Sequence, residues 1–436
     1  MAAFIEPRVL KGFRDSLPSQ EIARRNLIET IETSFRSYGF VPIDTPALEY
    51  TEILLGKGGG ETEKQVYRFT DHGGRDVALR FDLTVPFARY LAEHRDELSF
   101  PFKRYHIAKA WRGENTQRGR YREFTQCDFD TIGSDSAAAD FEILHIMRNT
   151  LIAITDTEVI IHLNHRGLFN RFLSRLGISE KSVDILRTVD KLAKIGSEET
   201  LTLLTDIADE NKAAEILNYI SFRGSYRETL AMMTDAAGAG PESERLELIY
   251  RFMTDAGIAG AFMLDPSITR GLDYYTGIVF ESFFREIPEL GSVCSGGRYD
   301  NLVGLYSKQP LSGVGSSLGI DRLIAGLEAL GKLKKELTYA HVAVAWVSPA
   351  AAGSCQALAD TLRKEGINCD VFLDDEKLTK QFQQAEKKGL VWIIIPDGEN
   401  PLTGPLTLRN LSKRENREGL SVDTVIGILK NSSSSP

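Results

Sequence analysis

Residues Arg270 to Tyr275 read Arg-Gly-Leu-Asp-Tyr-Tyr, and Ser295 to Asp300 read Ser-Gly-Gly-Arg-Tyr-Asp. The residues that follow the first string, Gly277-Ile278-Val279-Phe280, have the β-branched and aromatic character of a strand. A cation, two adjacent phenols and a Gly-Gly pair beside such a strand are not packing residues. They suit a pocket that holds a small polar ligand next to a phosphate.

Working outward from these strings, 436 residues are too many for one core, so two or three domains are expected. Hydrophobic content of 42% and charged content of 26% describe an ordinary globular protein and exclude a disordered chain. Cys127, Cys294, Cys355 and Cys369 are far apart and form no C-x-x-C pair. That argues against a disulfide framework or a zinc site and fits a reducing cytosol, so a cytoplasmic protein is expected. No apolar run nears the roughly 18 residues that span a bilayer, and Met1 to Pro7 does not read as a signal peptide.

The net charge of −9 speaks against a nucleic-acid partner, but the distribution is uneven. Between Lys103 and Arg122 stand Lys103, Arg104, Lys109, Arg112, Arg118, Arg120 and Arg122 against Glu114 alone. Such a strip can contact phosphates; it reads equally well as a solvated loop.

A first helix is predicted over about Ser19 to Tyr38, with Ile28, Ile31, Phe35 and Tyr38 on one face. After Gly39, the segment Phe40 to Pro46 is extended, and its prolines confine it to an edge or an interface. Strand-like stretches follow at Gln65–Phe69, Val77–Phe81, Lys103–Ala108 and Thr125–Ile132, which suggests a largely antiparallel sheet. A helix over Ala137–Ile154 and a strand over Val159–Leu163 complete a first part, 1–165. Residues 166–257 read as a helical insertion, because sheet character returns at Ala261 for a second part, 258–330. Past the linker Gly331–Glu336, strand and helix alternate in a separate α/β domain, 337–430, with parallel strands. The tail 431–436 is expected to be disordered.

Taken with these elements, the two strings resemble the signature peptides of histidyl-tRNA synthetase, and the likeness covers nearly the whole chain. The fold it implies is α/β: a class II catalytic domain with a central antiparallel sheet flanked by helices, a helical insertion, and a C-terminal anticodon-binding domain. The first helix, edge strand and proline resemble motif 1, which implies a homodimer. Trp111-Arg112-Gly113-Glu114-Asn115, a turn, and the return strand Arg120–Phe124 resemble motif 2. Gly313 to Leu323, a glycine-punctuated strand running into a helix, resembles motif 3. Read alone, Arg112 and Arg322 serve equally well as surface salt-bridge partners.

By this resemblance the protein activates L-histidine with ATP and transfers it to tRNA(His). Two anions must meet, so fixed cations are needed, with Mg²⁺ accompanying ATP and no metal held by protein side chains alone. Arg112 and Arg270 are the implied catalytic cations on either side of the α-phosphate. Glu114, Arg120 and Arg322 complete the ATP set, and Gln117 and Arg118 reach the tRNA acceptor end. Asp82, Thr84 and Gln126 take the α-amino group, Asp130 and Tyr275 pair with the ring nitrogens, and Leu83, Arg270, Tyr274 and Tyr299 complete the histidine site. The residues themselves agree in part. Asp82 and Thr84, two residues apart, share one face of a strand, as do Gln126 and Asp130, whose separation is even. Phe-Asp-Leu-Thr and Asp130 depart from the familiar bacterial Pro-Glu-Gly-Thr and Glu, and look like the archaeal and eukaryotic branch.

Two other signals carry less. Gly56 to Thr62 lacks phosphate-loop spacing and reads as a flap by the substrate. His162 and His165 lie three apart on a strand, face opposite sides and are not expected to ligate metal. Arg409, Lys413, Arg414 and Arg417 form a cluster suited to an RNA backbone or to solvent. Two relatives of the enzyme remain as alternatives. A regulatory paralogue lacks the last domain and parts of the ATP set, and a tRNA-sensing module belongs to longer chains.

Overall fold

Two long stretches of alternating character, Phe102–Trp111 and Glu123–Ile132, form the hairpin on which the larger sheet is built. The computed structural model describes residues 4–56, 63–156, 159–269, 275–307, 309–346, 348–374, 376–398 and 400–433. The chain divides into one compact unit of Met1–Arg14 with Leu27–Leu333 and another of Asp15–Asn26 with Lys334–Pro436.

In the first unit the strands are β1 (Val41–Pro42), β2 (Leu48–Tyr50), β3 (Arg68–Thr70), β4 (Asp76–Leu79), β5 (Phe102–Trp111) and β6 (Glu123–Ile132). They continue as β7 (Val159–His165), β8 (Phe262–Leu264), β9 (Ile278–Phe284), β10 (Cys294–Tyr299) and β11 (Gly313–Gly319). Eight make one sheet in the order β1-β5-β6-β11-β10-β9-β7-β8. It is antiparallel except at its margins, where β1 joins β5 and β8 joins β7 in parallel. The proline-rich segment does lie at an edge, since a residue without an N–H cannot serve an inner ladder.

The stretch Val77–Phe81 departs from expectation. It contributes β4 to a separate three-stranded sheet, β2-β4-β3, and the stretch from Gln65 becomes a strand only at Arg68. The helix Ala137–Thr155 covers one face of the large sheet, with Phe129, Phe280, Leu163 and Val314 buried beneath it. Six helices between Arg166 and Asp255 bury Leu168, Phe169, Ile216, Met233 and Met253 in the same apolar cluster.

The second unit holds β12 (Val342–Val344), β13 (Cys369–Val371), β14 (Trp392–Pro396), β15 (Leu406–Asn410) and β16 (Glu415–Leu420), ordered β13-β12-β14-β15-β16. The first three are parallel as expected; β15 and β16 add an antiparallel hairpin. Helices Ala352–Lys364 and Leu378–Lys387 match the reading, and a last helix, Val422–Ser433, runs through 431–433, the start of the tail expected to be disordered. Val425 and Leu429 are fully buried, which gives that helix an apolar anchor. All four cysteines are buried and free.

Candidate active site

The register of the large sheet sets one row of side chains. His162 stands opposite Glu281, Glu281 opposite Ser295, Ser295 opposite Ser317, and Ser317 opposite Asp128. Directly paired residues point to the same side of a sheet, so this row, with Gln126 and Asp130 two residues either side of Asp128, faces away from the apolar helix layer. It forms the floor of a cavity of about 800 Å³. The strand pattern explains the choice of residues: polar side chains alternate with Cys127, Phe129, Val314 and Leu318, which feed the core.

Asp130 is 3% exposed. Its Oδ1 accepts a short hydrogen bond from the Tyr299 hydroxyl, and its Oδ2 lies 2.7 Å from Arg104 Nη2. The latter approach is poorly aligned for a hydrogen bond, so charge holds the pair. Arg104 is completely buried and also lies 4.0 Å over the Phe87 ring. Asp82, Asp128 and Asp130 all feel the positive charge of this one buried guanidinium. Burial, the largest effect, still pushes all three carboxyls up, Asp128 to about 7, with Asp130 and Asp82 adding repulsion there. Gln126 donates to Ser317 Oγ at 2.8 Å and keeps its buried Oε1 without a partner among the described residues; Asp128 Oδ1 is in the same condition. A pocket with surplus acceptors and surplus negative charge is built for a cation rich in N–H donors.

Glycines bring backbone close to this site. A β-carbon on Gly315 would stand 1.8 Å from Asp130 Oδ1, and one on Gly297 would stand 2.6 Å from the Ile278 carbonyl and 2.8 Å from the Tyr275 ring. Tyr275 and Tyr299 are buried, and both line the cavity. Arg298, between them on β10, points the other way and binds Asp140 and Ser312, so this cation of the second string is architectural.

At the other end of β6 lie the two described arginines of the expected trio. Arg112 donates through Nε to the Phe81 carbonyl at 2.8 Å and sits 5.0 Å over the Phe124 ring. Arg322, the third residue of the helix Ile320–Ala329, donates to the Ser292 carbonyl at 2.6 Å. Both line the cavity, as do Glu114, Arg120 and Asp321. The hairpin between them closes at Gln117 and Arg120, where Gly119 has φ near +71°. Gln117 and Arg118 are exposed at its tip and do not line the cavity.

Several expectations change. Asp82 and Thr84 are not on a strand: Asp82 Oδ1 accepts from Val85 N at 3.1 Å and caps the helix Thr84–Glu93. Aspartate ahead of a helix satisfies orphan N–H groups, and that preference outweighs the alternation. Both residues still line the cavity, whereas Leu83 is fully buried and does not. The return strand expected from Arg120 begins at Glu123. The basic strip is not one surface, because Arg104 is interior, while Lys103 and Lys109 pair with Glu142 and Glu123. Arg270 and Tyr274 lie outside the described residues, as do 57–62 of the expected flap. His162 and His165 do face opposite sides. His162 Nδ1 is 2.9 Å from Asp265 Oδ2 at the far end of the cavity, and His165 is turned into the interior.

Sequence reasoning missed Arg104 and Asp128. Arg104 was hidden among surface-like basic neighbours, but the even spacing Gln126-Asp128-Asp130 could have found Asp128.

A family model for histidyl-tRNA synthetase matches residues 12–323, and one for an anticodon-binding domain matches 341–432. The histidine–tRNA ligase of Treponema denticola is 52% identical over 408 residues, covering 92% of this chain and 91% of that protein. The corresponding ligase of Treponema pallidum is 48% identical over 420 residues, 94% of this chain and 95% of its own length. The crystal structure of histidyl-tRNA synthetase from Nostoc superimposes with a TM-score of 0.85 at 31% identity, covering 98% of this chain and all of that one.

Proposed function

The chain belongs to the histidyl-tRNA synthetase family, as a class II histidine–tRNA ligase, and from there we propose how its residues divide the work. One observation carries the reading. A single cavity joins an electronegative floor suited to an ammonium and an imidazole with two arginines suited to a triphosphate.

Histidine lies over β6. Gln126, Asp82 and Thr84 receive its ammonium, Asp130 accepts from one ring nitrogen, and Tyr275 meets the other, with Tyr274 and Tyr299 along the ring. ATP lies toward the hairpin, its adenine at Glu114 and Arg120 and its phosphates at Arg112 and Arg322. A carboxylate oxygen of histidine attacks the α-phosphorus. The bond to the pyrophosphate oxygen breaks, and its electron pair leaves with pyrophosphate. Arg112 and Arg270 offset the charge that builds on the α-phosphate oxygens, where preformed cations in a dry site act most strongly. A ribose hydroxyl at the tRNA 3′ end then attacks the histidyl carbonyl carbon, and AMP departs. Gln117 and Arg118, exposed at the hairpin tip, steer that end.

Mg²⁺ comes with ATP. Glu281, on the cavity floor, would offer the ion a carboxylate, with the rest of its coordination coming from the phosphates and water. The ion supplies charge neutralisation for the departing pyrophosphate. The edge segment at β1 serves a homodimer. No helix among the described residues is long and apolar enough to cross a membrane. The working place proposed for the enzyme is the cytoplasm.

The test is histidine-dependent exchange of pyrophosphate into ATP with Mg²⁺, other amino acids giving none. Absence of exchange would pass the chain to the regulatory reading. Arg270→Ala should lower exchange by about a hundredfold or more, as loss of about 3–4 kcal/mol of transition-state stabilisation implies. Its melting temperature should hardly move, whereas a large fall would make Arg270 structural.

A further inference from the structure

The N-terminal segment ahead of the first helix lies against the cavity wall at a place where none of the roles above uses it. Gly12 accepts a backbone hydrogen bond from Arg122 N at 2.9 Å, and Arg122 in turn accepts one from Arg112 N at 2.9 Å. The turn therefore adds a further rung to the base of the hairpin that carries Arg112. The fit is close: Gly12 has φ near +90°, and a β-carbon there would stand 2.6 Å from Arg122 Cδ. Phe13 packs edge-on against Tyr67, with ring centres 6.2 Å apart.

Two residues on, the side chain of Arg14 reaches the other arginine-bearing element. Its guanidinium pairs closely with Asp321 Oδ1 and lies 3.9 Å over the ring of Tyr121. The second oxygen of Asp321 accepts from Thr125 N at 3.0 Å, so the same carboxylate ties β6 to the start of the helix that presents Arg322. Tyr121 and Asp321 both line the cavity. Between them the hairpin tip meets that helix directly, since a β-carbon on Gly119 would be 3.0 Å from Arg322 Cα.

We propose that the turn Lys11–Arg14 is a strap that fixes the spacing of Arg112 and Arg322, making Gly12 and Arg14 positioning residues for the triphosphate. The strap holds the hairpin through the Gly12 carbonyl and the helix through Asp321. It touches none of the groups assigned to histidine. Its loss misplaces the two phosphate cations relative to each other and leaves the amino-acid floor intact. An error of about 1 Å in such a constellation can cost about a hundredfold in rate. The inference rests on the assignment of Arg112 and Arg322 to ATP.

The experiment measures pyrophosphate exchange by the full chain carrying Arg14→Ala, Arg14→Lys or Gly12→Ala, with KM taken separately for ATP and for histidine. Arg14→Ala and Gly12→Ala should raise KM for ATP roughly tenfold or more, with KM for histidine within about twofold of the parent. Arg14→Ala should leave the melting temperature unchanged, whereas the positive φ of Gly12 makes Gly12→Ala lower it modestly. Arg14→Lys keeps a charge for Asp321 but loses the flat face over Tyr121, so it should restore ATP binding in part. Unchanged KM for ATP in both Arg14→Ala and Gly12→Ala would overturn the strap. A parallel rise in both constants with a lowered melting temperature would also overturn it, because a general loss of structure predicts that pattern. Should Arg14→Ala fail to fold, Gly12→Ala and Arg14→Lys decide by the same criteria. Absence of histidine-dependent exchange in the parent protein would sink the underlying assignment instead.

Discussion

Two buried histidines and the three buried aspartates Asp82, Asp128 and Asp130 pull the acid stability of the fold in opposite directions. His165 is 6% exposed, and its neighbours Arg245 and Arg298 are cations, with Asp300 opposing them. Burial first, and those arginines second, hold it down at about 3. His106 is lowered to about 4, again mainly by burial. In the unfolded chain both protonate near pH 6.5. As pH falls below that value the unfolded state takes up protons that the fold refuses, so stability drops until the folded values are reached. Asp128 acts the other way. Its folded value near 7 lies above the ordinary 3.8, so the fold binds a proton first and gains stability as pH falls from about 7 toward 4. The sum conceals each part, and a substitution isolates one. Between about pH 7.5 and 5.5, His165→Gln should lose less stability than the parent, by about 1 kcal/mol. Thermal unfolding of both proteins across that range measures it, and parallel curves would show that His165 is not neutral in the fold. At this scale the sequence was readable where alternation spoke: Gln126 and Asp130 share a face as their even spacing requires. It was silent on Arg104, because a basic residue in a strand carries no local mark that its partner carboxylate is buried.

Among the elements, β10 and β11 owe their composition to the ligand side rather than to strand propensity. Glycine weakens a strand by leaving nothing to pack, yet Gly297 and Gly315 stand directly opposite each other in adjoining strands, on the side that faces the cavity. Gly315 is the most constrained toward the site, with Asp130 Oδ1 at 1.8 Å from its missing β-carbon. Gly315→Ala should therefore displace Asp130 from Tyr299 and raise KM for histidine by well over tenfold, as lost pairing of a buried polar group implies. KM for ATP should change far less, because Arg112 and Arg322 lie at the other end of β6. Equal effects on both substrates would mean that the sheet itself has been deformed. The Gly-Gly pair of the second string was legible as a close approach, although what approaches, the Tyr275 ring and the Ile278 carbonyl, needed the fold. Asp82 shows the opposite case. Two even-spaced polar residues after a strand looked like its continuation, but a carboxylate just ahead of a helix was the stronger local signal.

Across the whole chain, the match to an anticodon-binding domain over 341–432 gives the second unit a part in tRNA binding, and the reading proposed above keeps activation in the first. The alternation of strand and helix from Val342 to Pro396 made the second unit legible, whereas the hairpin β15–β16 was not, since its polar outer strand lacks an apolar pattern. That hairpin carries the basic cluster, and the structure splits it. Arg409 lies 5.0 Å over the Phe382 ring and donates to Asn416, so it braces the unit. Lys413, Arg414 and Arg417 are exposed, Arg414 in the turn with φ near +57°. Three exposed cations around one turn suit an RNA backbone, and their removal should weaken electrostatic attraction alone. Replacing all three with alanine should leave pyrophosphate exchange unchanged while raising KM for tRNA in aminoacylation. Each phosphate that is no longer neutralised should also flatten the dependence of log affinity on log salt by about 0.7. Charging measured from about 50 to 200 mM salt reads both quantities. If KM for tRNA and the salt slope match the parent, these cations are a solvated face, and tRNA is held elsewhere on the unit.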